Sequence, residues 1–499
     1  MRLKSVFISD YKNLRNFTLR FDGASFLDVF VGKNGSGKSN LFEALIQVFR
    51  HLDQFGRPFN DISFDYHLIY EIEGQETEIE WKTGKLKINK DKDRKTLGQT
   101  PFPDNVLIYY SGHNATVAEL VADCEEKFRG RIKGTNLDDS RRFMGVGPEY
   151  KQLLLAVLLT QPDDNKARQF VCQKLGIESI GADLQLVLQR PSFATGALKA
   201  LGTDSIENFD PRTHYWGADG ITRDFLDKLV TCVKGEFNHG NVFDADKDCY
   251  QIAVNIELFQ QRFADESLSD IFRQFDNLKT LGMLAGITIP LTLTSGLDGA
   301  IDHFSDGQFQ SVYIYSIVEL FKDRNCLILL DEPDAFLHPE WQFDFLRQVF
   351  DITDAAAKTS HVLMSSHSAV TLIPHDKKKI KFFDIKDNQA NCYDLPKSIA
   401  IKKLSSDLIK YSEQEQLLSI INAIQIEKKP VLFTEGSSDP IILKEAWYKL
   451  YEEEMPFIPF YAFSCTYINQ LLTDNRIHGE MGGLPVFALC DFDKAYDQW

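Results

Sequence analysis

The stretch "GKNGSGKS", Gly32 to Ser39, sets three glycines, two lysines and two serines between an apolar run and an amphipathic one. Glycines at this spacing let backbone N–H groups wrap a cluster of anionic oxygens, and the start of the helix that follows adds positive potential. The pattern fits a phosphate-binding loop, with Asn34, Gly35, Ser36, Gly37, Lys38, Ser39 and Asn40 as the expected nucleotide contacts. Lys38 is expected to reach the β and γ phosphates of ATP, and Ser39 to ligate Mg²⁺. Far along the chain, "NCLILLDEPDAFLHPE" places Asp331 at the carboxyl end of an apolar strand, where ligands sit in open α/β sheets. Asp331 is expected to hold Mg²⁺ through water, and Glu332 to polarise the attacking water. The strand "HVLMSS" then ends at His367.

A second set of acids lies near the C-terminus. "VLFTEGSSD" ends an apolar strand with Glu435 and continues to Asp439; "VFALCDFD" ends another with Asp491 and Asp493. Carboxylates converging on neighbouring parallel strand ends make an oxygen-rich site suited to Mg²⁺ or Mn²⁺. Ions there would activate water and stabilise a phosphodiester leaving group. Glu435 reads as general base or metal ligand, and Asp439, Asp491 and Asp493 as metal ligands. Taken singly, each acid also reads as a turn or helix-cap residue.

The elements that must position these residues follow from periodicity. "LKSVFISDYKNLRNFTLRF" alternates with period two and breaks at "KNLRN", which predicts a hairpin. "SFLDVFV" predicts a strand before the loop, and Leu41, Leu45, Ile46 and Phe49 form the buried stripe of the helix after it. From Phe59 to Ile88 the alternation returns and predicts an antiparallel sheet; "DNVLIYYSG" is a further buried strand. Residues 114–285 read as mostly helical, with "EYKQLLLAVLLT" and "TRDFLDKLVTCVKG" at helical spacing and "LQLVLQRP" as a strand. No repeat, sustained heptad or low-complexity linker is present. The resulting division is an N-terminal lobe with the phosphate loop (1–113), a mostly helical, dimerising insert (114–285), a C-terminal lobe (286–390), a helical linker (391–427) and a second α/β domain (428–499).

Composition narrows the class. The 499 residues, 43% hydrophobic and 25% charged, fit a multidomain globular protein. No apolar stretch approaches the ~18 residues that would cross a bilayer, so no membrane partner is expected. The eight cysteines are scattered singly, which disfavours a zinc site and fits a reducing cytoplasm. A net charge of −17 argues against broad nucleic-acid coating. The two basic runs, Lys82 to Lys95 and His375 to Lys381, read as a solvated hairpin and a solvated loop.

Between the insert and the Asp331 strand lies "HFSDGQFQ", His303 to Gln310. In order the chain holds phosphate loop, S-x-G-Q, LLDEPD and a strand-end histidine. This succession resembles the ABC-type ATPases, and Phe304 and Asp306, in place of the common Leu and Gly, resemble the SMC, RecF and OLD-like branch. The resemblance implies that Ser305, Gly307 and Gln308 clamp a nucleotide bound to the other protomer, that Asp334 lies across the dimer seam, and that His367 touches the γ-phosphate. Gln99 is a candidate for the loop glutamine of such heads. The strand-end Glu435 followed by the D-x-D of Asp491 and Asp493 resembles the Toprim domain of topoisomerases, primases and OLD-family nucleases. Head plus Toprim resembles the OLD (overcoming lysogenization defect) family, including Gabija-type and retron-associated effectors. The fold so implied is α/β: an ABC-type P-loop ATPase head with an antiparallel β subdomain and helical insert, then a partial Toprim domain. The function implied is a homodimeric, ATP-controlled, Mg²⁺- or Mn²⁺-dependent DNA endonuclease of anti-phage defence, partnered by a reverse transcriptase with its nucleic acid or by a helicase. The other reading is a nucleotide-operated DNA clamp or scaffold. Few residues follow Asp493, which implies a longer protein, a vestigial site or one completed by a partner.

Overall fold

The computed structural model describes residues 1–22, 26–56, 62–91, 93–110, 115–132, 141–192, 194, 215–235, 242–244, 246–304, 306–322, 324–335, 337, 342, 359–373, 379–405, 420–421, 424–425, 427–436, 438–451, 453–462 and 465–490. The chain divides into two units, Met1–Ala400 and Ile401–Trp499.

The short unbroken apolar runs become the strands of a seven-stranded sheet. Its order is Gln389–Pro396, Lys379–Lys386, Leu27–Val31, His361–Ser366, Cys326–Asp331, Asn105–Tyr110 and Phe143–Val146. All neighbours are parallel except the first two, which form a hairpin. Every residue of Leu27–Val31, Cys326–Asp331 and His361–Ser366 is buried, as expected of parallel strands covered on both faces. The alternating segments instead build a five-stranded antiparallel sheet, ordered Leu14–Arg20, Arg2–Tyr11, Tyr66–Ile72, Gln75–Lys82 and Lys85–Ile88.

The helix Lys38–Asp53 lies in one core with residues of both sheets. Its expected stripe, Leu41, Leu45, Ile46 and Phe49, is buried, but so are Phe42, Ala44, Val48 and Leu52. A helix that packs against two sheets needs apolar residues on two faces, and the single-stripe reading counted one.

Two expected boundaries change. Among the described residues of 114–285 helices predominate, as expected, but the stretch also carries more strands than the one read from "LQLVLQRP". Asp183–Gln189, Cys249–Asn255, Phe243–Asp244 and Leu284–Thr288 form a four-stranded sheet, and Ile177–Ile180 pairs with Pro290–Leu293. Phe143–Val146 extends the seven-stranded sheet itself, which merges this stretch with the flanking lobes into one unit. The helical linker also starts later than 391, because Gln389–Pro396 is a strand. Asp387 and Asn388, at φ 53° and 57°, form its two-residue hairpin turn. Residues with short polar side chains tolerate this left-handed backbone.

The second unit has a parallel three-stranded sheet, ordered Ile458–Tyr461, Val431–Thr434 and Val486–Leu489, with helices Asp439–Leu450, Cys465–Thr473 and Asn475–Met481. Val431, Phe433, Ile468, Leu471 and Ile477 centre its core. Among the described residues of the chain, no helix is long and apolar enough to cross a membrane.

Candidate nucleotide site

The strand Leu27–Val31 delivers the glycine loop, and helix Lys38–Asp53 begins as the loop ends. Gly37 sits at φ 103°, and a Cβ there would come 2.8 Å from Ala390 Cβ and 3.0 Å from Asn13 Oδ1. A Cβ on Gly32 would come 2.5 Å from the Phe383 carbonyl oxygen. The loop is thus pressed against the hairpin turn at Asn13 and the hairpin Lys379–Pro396, and only glycine fits at these two points. Asn13 links to the loop directly, donating to the Gly35 carbonyl at 3.3 Å and accepting from Asn40 Nδ2 at 2.8 Å.

Lys38 is 3% exposed. Its ammonium donates to the Gly32 carbonyl at 2.8 Å and lies 3.5 Å from Glu332 Oε1. Burial pulls its pKa down, opposed by Glu332 and Asp331. Asp331 Oδ1 accepts from Ser39 Oγ at 2.9 Å and from Ser365 Oγ at 2.8 Å. Ser39 and Asp331 supply the hard oxygen donors that suit Mg²⁺, while Lys38 and the loop N–H groups suit phosphate oxygens. The residues present therefore fit a magnesium nucleotide.

Glu332 has φ 49°, a strained value for a side-chain-bearing residue. Its N–H donates to Ser365 Oγ at 2.9 Å. Its carboxylate sits between Lys38 and His367, whose Nδ1 is 3.2 Å from Oε2. His367, ahead of Lys38, holds the Glu332 carboxyl below the usual carboxylate range, and Glu332 in turn raises the imidazole. The five residues Lys38, Ser39, Asp331, Glu332 and His367, separated by up to 329 positions in sequence (367 − 38), thus meet at the ends of three adjacent strands.

Asp334 departs from expectation. The resemblance implies a place across a dimer seam, whereas the structure has it fully buried in its own chain. Its Oδ2 accepts from Ser366 Oγ at 2.6 Å and from Thr371 Oγ1. Ser305 lies outside the described residues. Gly307 and Gln308 fall in the first turn of helix Asp306–Leu320. Gln310, on the same helix, donates to the Pro333 carbonyl at 2.6 Å and to the Tyr109 hydroxyl. Gln99 is exposed in a turn preceding Asn105–Tyr110. Asn13, Ser365, Ser366, Thr371 and Gln310 were missed as site residues. The one legible signal was the serine pair immediately before His367.

In the second unit, Thr434 pairs with Leu489, so Glu435 follows the ladder at the same end as Cys490. Glu435 Oε1 accepts from the Cys465 N–H at 3.3 Å. Asp439, read as a metal ligand, accepts from the Gly436 N–H at 3.0 Å and is the first residue of helix Asp439–Leu450, so its carboxylate closes the turn that leads into the helix. Asp491 and Asp493 lie outside the described residues. Among the described residues no group of three or more His, Cys, Asp or Glu is placed to hold a metal ion.

The basic run Lys82 to Lys95 is interleaved with acids. Lys85 pairs with Asp93, Lys87 with Glu80, Lys90 with Glu78 and Arg94 with Asp91. It is the solvated hairpin expected.

Residues 1–151 match the family model AAA ATPase domain, and residues 242–373 match AAA domain, putative AbiEii toxin, Type IV TA system. Both matched spans are similar to AAA ATPase domains, and each covers less than a third of the chain. The first matched span holds the glycine loop, and the second holds Asp331, Glu332 and His367. No curated protein matches the chain. Similar solved structures include an Smc head bound to the C-winged helix domain of ScpA, at 14% identity over 79% of this chain and 98% of that one, TM-score 0.35. An Smc head with extended coiled coil bound to the C-terminal domain of ScpA, from Pyrococcus furiosus, is 15% identical over 81% and 99%, TM-score 0.34. The recombination mediator RecF with ATP is 16% identical over 79% and 97%, TM-score 0.32.

Proposed function

We propose that the first unit binds and hydrolyses ATP. The observation that carries this is the strained Glu332, held between Lys38 and His367 one residue after Asp331. Lys38 neutralises phosphate charge, and Ser39 and Asp331 would hold a Mg²⁺, which would supply charge stabilisation when bound. Glu332 orients and deprotonates the attacking water, and His367 sets the carboxylate's position and faces the γ-phosphate. Ser305, Gly307 and Gln308 complete the site of a second copy, which makes the working form a homodimer. The test is steady-state ATP hydrolysis with Mg²⁺. Wild type should turn over, and Lys38→Ala should lose both hydrolysis and nucleotide affinity; equal rates in the two refute the assignment.

We further propose that the second unit is a Toprim-type endonuclease on DNA, governed by the ATPase, in anti-phage defence with a partner such as a reverse transcriptase or helicase. What supports it is the parallel register that brings Glu435 to the same sheet end as Cys490, the residue before Asp491. Supercoiled plasmid with Mg²⁺ or Mn²⁺ should be nicked by wild type and left intact by Glu435→Ala or Asp491→Ala. Nucleotide-dependent DNA binding without any cleavage would favour the clamp reading.

A further inference from the structure

We propose that Asp334 is a positioning residue for ATP hydrolysis: with Ser366 and Thr371 it forms a buried clasp that ties the Glu332 turn to the His367 turn. This rests on the ATPase reading of the site. The parallel ladder between Cys326–Asp331 and His361–Ser366 has its last pair at Leu330 and Met364. Beyond it the two chains diverge, one through Glu332 and Pro333, the other through His367 and Ser368. Asp334 reaches back across this gap. Its Oδ2 accepts from Ser366, immediately before His367, and from Thr371, four residues after it. The clasp therefore holds the His367 turn on both sides.

The Glu332 turn is held as closely. Ser365 Oγ receives the Glu332 N–H, Gln310 donates to the Pro333 carbonyl, and Asp334 anchors the next residue. A left-handed Glu332 costs on the order of 1–3 kcal/mol and persists only where its surroundings over-determine it. Asp334 is itself an unusual choice for such a place. It is 0% exposed, as are Ser366 and Thr371, and its Oδ1 has no hydrogen-bond partner among the described residues. A buried carboxylate with only neutral hydroxyl donors on one oxygen is costly relative to an apolar side chain. Packing alone does not select it. Joining two turns that carry the reacting carboxylate and its histidine does.

Asp334→Ala, Asp334→Asn and Thr371→Val in the full chain test this, with kcat and KM for ATP hydrolysis measured beside affinity for a fluorescent ATP analogue. Asp334→Ala should keep nucleotide affinity within about twofold while kcat falls roughly 10- to 100-fold, since a displacement of about 1 Å at a reacting group costs that much. Asp334→Asn should recover most of the rate, because its amide oxygen still accepts from both hydroxyls. Thr371→Val, which removes one donor at constant volume, should fall between. Wild-type kcat in Asp334→Ala overturns the proposal. If Asp334→Ala does not fold, wild-type kcat in Thr371→Val overturns it equally. A rate loss that tracks lost nucleotide affinity and is not restored by Asn also overturns it. A wild type that hydrolyses no ATP removes the parent reading instead, and this one with it.

Discussion

Gly35 and Gly37 both adopt left-handed backbone, at φ 79° and 103°, yet a side chain would meet different surroundings at each. Nothing lies within 4 Å of a Cβ on Gly35, whereas one on Gly37 would strike Ala390 and Asn13. Gly35→Ala should therefore cost only the backbone penalty of about 1–2 kcal/mol. Gly37→Ala should abolish nucleotide binding by pushing the loop off its hairpin supports; titration with a fluorescent ATP analogue separates the two. His361 offers a pH test remote from the nucleotide. It is fully buried, accepts from the Leu3 N–H at 3.0 Å, and lies 3.1 Å from Asp28. Burial lowers its pKa, so the unfolded chain takes up a proton first as pH falls. The linked stability is intact above the ordinary histidine value of about 6.5 and is lost progressively below it. Thermal midpoints at pH 7.5 and 5.5 should differ less in His361→Asn than in wild type. At this scale the types and order of Lys38, Ser39, Asp331, Glu332 and His367 single them out in the sequence, and the structure brings them together. Asp334 was misplaced because an acid beside Glu332 carries no mark of which way it faces, and Asn13 was invisible because its contact crosses from another sheet.

Elements were legible wherever burial is one-sided or complete. Alternation gave the antiparallel sheet, and unbroken apolar runs gave the parallel strands. The helix Lys38–Asp53 was recognised but under-described, because burial on two faces blurs a stripe. Leu45→Ala, deep in that shared core, should cost roughly 2–5 kcal/mol in denaturant unfolding. The strand Gln389–Pro396 was missed because Asp387-Asn388 was not read as a hairpin turn. With both residues left-handed, Asn388→Gly should leave the thermal midpoint unchanged or higher, and Asn388→Val should lower it. The sheet within the insert was illegible for another reason. Asp183–Gln189 and Cys249–Asn255 are distant in sequence, and pairing across that distance leaves no local trace beyond each strand's own alternation.

For the whole molecule, the proposed arrangement is an ATPase unit followed by a second α/β unit, with nucleotides shared between two copies. With Mg²⁺ and ATP, Glu332→Gln should accumulate as a dimer by light scattering, while Lys38→Ala stays at the mass of one chain. The central claim is that Glu332, held by Lys38 and His367, drives ATP hydrolysis. Its most direct test is single-turnover hydrolysis by Glu332→Gln under saturating nucleotide. ATP should be bound as tightly as in wild type and cleaved at least about 100-fold more slowly. Cleavage at the wild-type rate by Glu332→Gln would contradict the claim.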